Sequence, residues 1–560
     1  MIFQSEKITR MKGYFSMVFS SSGTVHRSTV TGTHGMTASG HPLASLAGLK
    51  ILMQGGNAID AAIATAAALN VVEPYMSGIG GVGYMHIYDS ATDEHSVLDY
   101  VGLTPSSTDI SLFTTELQSR GPLSHLIPGA CSGWLEALQK YGRMDATTVF
   151  QPAIEYAEQG IALTIKNAEF FSGNIADLKK FQTGAENYLV NNTSPTCGDI
   201  IFQKNLAETF RQIANEGSEI FYTGSIAKKI TKYVQDQGGL LTLEDLNDYR
   251  SKWTKPIDIK YRDYTIYAPA PPCQALQYLQ TLKIMEGYDV QGMGHNSTEF
   301  LHHFIEATKL SMADRAEYAS LSNAPSKGLL AEQYIKERRL LIGKNAGYTG
   351  GERFTSQKER NEILPGQPPE WMLNECTTHF NTIDKDGNAV SCTQSLGSGF
   401  GSAMVVPGTG ITLNNFMKWF DIDPLSPNAI GPSKKLEMCL SPAQVWDDYG
   451  LRLLIGTPGG HGILQTTPQM IMNVLDHDFN VQSAIEAPRV KTGQPGYLVD
   501  IESRINTSVQ KELEKRGHIL NQLGDWSPAV GGGQGIHINP ENGSFMGGAD
   551  PRRDGYVLGW

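Results

Sequence analysis

Apolar residues recur at helical spacing from Pro42 to Gln54, and the pattern stops at Gly55-Gly56, a pair suited to ending a helix. Asn57 is an N-cap residue, and the run it opens, AIDAAIATAAALNVV, is apolar on nearly every side. A helix without a polar face is predicted to be buried. Two strands are predicted next, SGIGGVGYMHIY and HSVLDYV; the glycines of the first allow close backbone approach or a turn. A phosphate cradle at GIGGVG is the weaker reading, because no Lys follows and no helix opens there. From Gly129 to about Asn345 the pattern is mostly amphipathic helix, as in Ser132–Lys140, Thr148–Gln159 and Ser297–Ala319, with strands near Lys255–Ala268.

The stretch from Tyr348 to Cys376 breaks this order. YTGGERFTSQKERNEILPGQPPEWMLNEC is polar, rich in Pro and Gly and periodic in nothing, and reads as an exposed linker. After it the chain turns strand- and Gly-rich. THFNTID-KDG-NAVSCTQS is predicted to be a hairpin whose three-residue loop, with Gly third, forms a type I turn and a Gly bulge. That register pairs Asp384 with Asn388, sets Thr377 opposite Ser395 and leaves Thr393 on the same face; a one-residue slip would turn Ser395 away. The organisation expected is a poorly ordered segment 1–35, a segment 36–376 ending in the linker 348–376, and a segment 377–560. The fold class expected is α/β, with mixed sheets and covering helices. There are no internal repeats.

Composition narrows the functions. The chain of 560 residues is 40% hydrophobic and 18% charged, with a net charge of −12, which argues against nucleic acid or an anionic membrane as partner. Fourteen His and six Cys are scattered without a CxxC, an HExxH or zinc-ligand spacing, so no metal or other cofactor is implied. The N-terminus has no continuous apolar core of a secretory signal, and the longest apolar run, Ala61 to Val72, is too short to span a bilayer; a cytoplasmic protein is expected.

Candidate chemistry centres on Cys376-Thr377-Thr378-His379. If the bond before Thr377 is cut, its hydroxyl and its new α-amino group form a nucleophile and base in one residue. Alternatively, the two threonines simply begin a strand. A Cys nucleophile is a rival, since Cys376, Cys392 and Cys439 fall in the same region, but none has a His or Asp at telling spacing. A second piece, Leu451–Ile455 followed by Gly456-Thr457-Pro458-Gly459-Gly460 and ILQTTPQMIMNVLDH, reads as strand, turn and helix. The amides of Gly459 and Gly460 can form an anion-binding nest, an oxyanion hole in acyl transfer; an ordinary strand-to-helix turn is the other reading.

From about Gly35 to Trp560 the chain resembles the γ-glutamyltransferase family of N-terminal nucleophile hydrolases. The resemblance rests on GGNAIDAAIATAAALNVVEP, IPGACSGW, GGLLTLEDLNDY, YAPAPP, TTHFNTIDKDGNAVS, GTGITLNN, GTPGG, EAPRV and GADPRRDGY. It implies an αββα sandwich and autocatalytic cleavage between Cys376 and Thr377 into a large and a small subunit that stay together. It also implies Thr377 as nucleophile, Ser395 as a supporting hydroxyl, and Gly459 and Gly460 as oxyanion donors.

The chain departs from the family where the γ-glutamyl head group is held. Val101 stands in place of an Arg, Met438 and Cys439 in place of two serines, Phe416 and Trp419 in place of residues that meet the α-amino group, and Gly397 in place of an Asn. A buried zwitterion without partners costs several kcal/mol. Phe416 and Trp419 are expected either to form an apolar wall or to pack in the core, and Lys418 to meet an acidic group. The loop from Phe420 to Pro432 is shorter than a lid. The expectation is an amide hydrolase of the acylase type acting on a small-molecule amide, with a γ-glutamyl hydrolase or transpeptidase as alternative, an uncleaved relic as a lesser one, and higher homo-oligomers left open.

Overall fold

Every residue of helix α2, Ala58–Val72, is buried. Asn57 caps it by accepting the amides of Ile59 and Asp60, while the Asp60 carboxylate takes the Asn57 amide, so the helix enters the core with its first donors satisfied. Helix α1, Pro42–Met53, precedes it and ends where Gly55 takes φ +97°. These are the two helices that the apolar pattern predicts. The computed structural model describes residues 25–318, 324–347, 375–426, 428–492 and 496–560.

Two seven-stranded antiparallel sheets form the centre. In chain order their strands are β1 Val30–Gly32, β2 Gly35–Ser39, β3 Val82–Asp89, β4 Glu94–Asp99, β5 Lys252–Thr254, β6 Ile257–Tyr261, β7 Tyr264–Ala268, β8 Glu375–Asp384, β9 Ala389–Ser398, β10 Ala443–Asp447, β11 Gly450–Gly456, β12 Gln534–Ile538, β13 Phe545–Ala549 and β14 Tyr556–Gly559. One sheet runs β1-β13-β12-β11-β10-β7-β6 and the other β14-β2-β8-β9-β3-β4-β5. Their inner faces meet through a small apolar core that includes Met36, Ile383, Leu454, Ile536 and Phe545. The second sheet is covered by α1, α2 and helix α3, Ala130–Tyr141; the first by α4, Leu276–Glu286, α6, Ile463–Leu475, and α7, Val481–Glu486. Helix α5, Thr298–Tyr318, packs on α4. The result is an αββα sandwich, the architecture that the sequence resemblance implies.

The hairpin β8–β9 sits at the middle of its sheet, with the Asp384 amide donating to Asn388 O at 3.1 Å as the loop chemistry predicts. Strand β1 falls inside the segment 1–35 expected to lack order: Val30, Thr31 and Gly32 pair with β13, because the edge of that strand offers a row of backbone partners. The linker expected over 348–376 lies outside the described residues up to 374. Among the described residues no helix is long and apolar enough to cross a membrane.

A buried ionic cluster ties the C-terminal elements together. Arg552 reaches Glu502 at 2.6 Å and Asp550 at 3.1 Å, and Arg489 also grips Asp550, all four side chains being inaccessible to solvent. Burial alone would raise Asp550, but Arg552 and Arg489 outweigh it and hold the carboxyl at about 2.

Candidate active site

Thr377 sits in a β-bulge. Thr378 pairs with Gln394, but Cys376 pairs with Gly397, so the register slips by one residue across Thr377. The extra residue opposite is Leu396, whose amide turns out of the ladder to Met76 O at 3.0 Å. Bulges re-aim side chains in this way beside active sites. The Thr377 hydroxyl lies 3.4 Å from Ser395 Oγ, which also accepts the Gly397 amide at 2.8 Å. Gly81 packs on Ser395 O so closely that a Cβ there would approach it to 2.5 Å. The glycines of the GIGGVG stretch therefore serve backbone approach, as the structural reading of that motif holds.

The layer behind Thr377 is polar and closed. Its carbonyl accepts from Arg553 Nη1 at 3.4 Å. Thr378 Oγ1 donates to Glu73 Oε2 at 3.1 Å. Burial raises the Glu73 carboxyl to about 7 against the opposing pull of Arg553. Thr393 shares the face of Ser395 but serves His379, whose Nδ1 lies 2.8 Å from Thr393 Oγ1 and whose Nε2 lies 3.3 Å from Asn381 Oδ1. Asn381 Oδ1 can only accept, so Nε2 carries the proton and Nδ1 accepts from Thr393. Burial drives the His379 pKa down to about 3, so this imidazole stays neutral and structural.

Strand β11 brings the Gly-rich turn to the same place. A Cβ on Gly456 would meet the His379 ring at 2.3 Å, so the end of β11 lies against the residue two beyond Thr377. The chain then runs through Thr457 and Pro458 to Gly459, φ +130°, and Gly460, φ +54°, both in backbone regions that favour glycine. Residues Gly460–Gly462 form one 3-10 turn whose Cα atoms come within 8 Å of β8, and α6 follows. Among the described residues the amides of Gly459 and Gly460 have no hydrogen-bond acceptor. Two adjacent unengaged donors at a turn that packs on β8 can stabilise an oxyanion.

A sequence profile described as Gamma-glutamyltranspeptidase matches residues 44–560. The chain belongs to the gamma-glutamyltranspeptidase family. It is 34% identical over 556 residues to the Acylase ACY 1 proenzyme of Pseudomonas sp. (strain V22), covering 95% of this chain and 94% of that one. It is equally 34% identical over 544 residues to the Glutathione hydrolase proenzyme of Bacillus subtilis (strain 168), covering 94% and 92%. Among solved structures, the cephalosporin acylase from Bacillus halodurans superposes with a TM-score of 0.86 at 32% identity, over 97% of this chain and 98% of that one. The protein is an enzyme of this hydrolase family.

The positions where this family member departs from the γ-glutamyl pattern are all buried: Val101, Met438 and Cys439 at 0% exposure, Phe416 at 1% and Trp419 at 9%. They join one apolar cluster with Val82 and Tyr84, so part of their role is packing. Trp419 also flanks the Gly-rich turn, its ring 4.9 Å from that of His461, which follows Gly460. Gly397 has φ +104°, and a Cβ there would come within 2.3 Å of Asn415 Oδ1, so the backbone leaves no room for the family's Asn. Cys392 is buried against Tyr100 Oη, and burial pushes its thiol up to about 12, the opposite of an activated nucleophile. The side chain of Cys376 lies outside the described residues.

Glu73, Arg553 and Lys435 escaped the sequence reading. Lys435 Nζ lies 2.9 Å from Asp99 and 2.5 Å from Val101 O, a cation beside the position that lacks its Arg. The signals available were Glu73-Pro74 at the end of α2 and the doubled Arg in GADPRRDGY, neither of which names a partner. One set of potential metal ligands also comes together: His302, Glu306 and His518 bring donor atoms within 4.8 Å of one another. Glu306, however, is taken by Lys309 Nζ at 2.8 Å and the Gly347 amide at 2.9 Å, so the cluster holds down the chain just ahead of residue 348.

Proposed function

We propose that the protein is an autoprocessed N-terminal threonine hydrolase that cleaves a small-molecule amide other than a γ-glutamyl one. Cleavage between Cys376 and Thr377 frees the Thr377 α-amine. That amine takes the proton as Thr377 Oγ attacks the amide carbonyl, with Ser395 orienting the hydroxyl and the amides of Gly459 and Gly460 meeting the oxyanion. The amine product leaves with the proton, an ester on Thr377 remains, and water resolves it to the carboxylic acid. The observation that carries this reading is the bulge that turns Thr377 Oγ1 toward Ser395 Oγ, on the strand against which the Gly460–Gly462 turn packs.

The preference for a non-γ-glutamyl acyl group is supported by Val101, Phe416, Trp419 and Met438, which are apolar and buried where a zwitterionic head group needs charges. The relatives named acylase are as similar as those named glutathione hydrolase, so turnover must decide. On a denaturing gel the wild-type chain is expected to yield fragments 1–376 and 377–560, with Thr377→Ala remaining whole. An unprocessed yet active wild type would refute the mechanism. Efficient turnover of γ-glutamyl-p-nitroanilide, competitively inhibited by free glutamate, would favour the γ-glutamyl reading instead.

A further inference from the structure

Gly459 and Gly460 both stand in backbone regions open to glycine, and glycine loses more conformational freedom than any other residue when it is fixed. An oxyanion site works only if its donors are held before the charge develops. Contacts beyond the two glycines have to pin the turn. At its entry Thr457 Oγ1 accepts the Gly532 amide at 2.9 Å and donates to Pro458 O at 3.0 Å. Within it the Gly462 amide donates to Gly459 O at 2.9 Å. At its exit the one residue with a side chain in the 3-10 turn Gly460–Gly462 is His461. The His461 ring packs on that of Trp419, and its Nε2 lies 3.3 Å from Nη1 of Arg315.

Arg315 stands on α5 and is only 2% exposed. A guanidinium can only donate, so His461 Nε2 accepts and Nδ1 carries the ring proton. The contact crosses 146 positions, from the segment before Thr377 to the segment after it. We propose that Arg315 is a positioning residue: through His461 it fixes the turn that presents the Gly459 and Gly460 amides, so that the piece ahead of the cut sets the oxyanion site of the piece behind it. This rests on the oxyanion role given to those amides above. Arg suits the task because its planar guanidinium is always charged and points its donors in fixed directions. Trp419 packs against the same imidazole, so a hydrogen bond and a ring contact hold His461 together. The backbone of Gly460 is then tied to a side chain that has little freedom of its own.

The test uses processed enzyme, with rates normalised to the amount of fragment 377–560. The substrate is the p-nitroanilide, valeryl or γ-glutamyl, that wild type turns over faster. Arg315→Met and His461→Leu are each expected to lower kcat about tenfold, with KM within about twofold of wild type. His461→Gln keeps a side-chain carbonyl that can accept from Arg315 and is expected to recover most of the loss. In a Gly459→Ala background, where the turn is already displaced, Arg315→Met is expected to change kcat less than about twofold. An Arg315 that only supports the fold would lower kcat by the same factor in both backgrounds, and that result overturns the proposal. So does a His461→Gln enzyme as slow as His461→Leu, a comparison that does not require any Arg315 variant to fold. A kcat unchanged in Gly459→Ala itself removes the oxyanion reading and the proposal with it. A loss in Gly459→Ala beside full activity in Arg315→Met and His461→Leu removes the positioning role alone.

Discussion

The Thr377 and Ser395 hydroxyls face each other at 3.4 Å across the bulge in β8 and β9, with Ser395 held in place by the Gly397 amide. Losing the Ser395 hydroxyl removes a neutral hydrogen bond of about 1 kcal/mol, and more if it strengthens as Thr377 ionises. Ser395→Ala is therefore expected to slow the appearance of fragment 377–560 about tenfold, and Ser395→Thr to keep most of the rate. A time course of self-cleavage by gel checks this, and equal half-times for wild type and Ser395→Ala would exclude the supporting role.

Glu73 makes stability depend on pH. Its folded pKa of about 7 stands above the ordinary 4.5, so the folded chain holds a proton that the unfolded chain releases. The contribution is fully present below about 4.5 and is lost as pH rises through 7, a change on the order of 3 kcal/mol. Glu73→Gln is expected to flatten that slope in denaturant titrations between pH 4.5 and 8. An identical slope in both proteins would show that Glu73 does not titrate there.

Gly459 lies at φ +130°, where a side chain is strained, although a Cβ would meet nothing closer than Gly531 Cα at 3.4 Å. Gly459→Ala is expected to leave the fold intact and to turn the amide away from the site. A loss of about 10²–10³ in kcat with little change in KM is the expected signature of a displaced oxyanion donor. A change confined to KM would place the turn in substrate binding instead.

Breaking the C-terminal ionic cluster strands buried charge. Arg552→Met leaves Glu502 without its 2.6 Å partner and is expected to cost about 3–5 kcal/mol, read as a lower denaturation midpoint. A midpoint within experimental error of wild type would mean that the acids find other partners.

Restoring the family's Asn at Gly397 should not restore a γ-glutamyl site. Gly397→Asn meets a left-handed φ and Asn415 Oδ1 together, and a destabilisation of about 1–3 kcal/mol without gain in γ-glutamyl-p-nitroanilide turnover is expected. A gain in that turnover would show that head-group recognition was only one residue away.

What could be read from the chain was local. The two N-terminal helices follow from apolar period and an Asn cap, and the Asp384–Asn388 closure from a Gly in the third loop position. The bulge was not legible, because it arises when the Leu396 amide finds Met76 O, far away in the chain. Glu73 and Arg553 were missed for the same reason: Thr378 meets one across 305 positions and Thr377 meets the other across 176. The alternation of the strand sets Thr393 on the face of Ser395, but it does not reveal that Thr393 Oγ1 is taken up by the buried His379 imidazole.

The order of strands lets the proposed cut pass without separating the pieces it makes. Strand β8 lies between β2 and β9, and β9 lies beside β3, so strands from before and after residue 376 share one sheet; in the other, β1 lies beside β13 and β7 beside β10. Severing one peptide bond leaves both ladders zipped. The two pieces of the mature enzyme are then held as one folded body by backbone ladders that each contain strands of both.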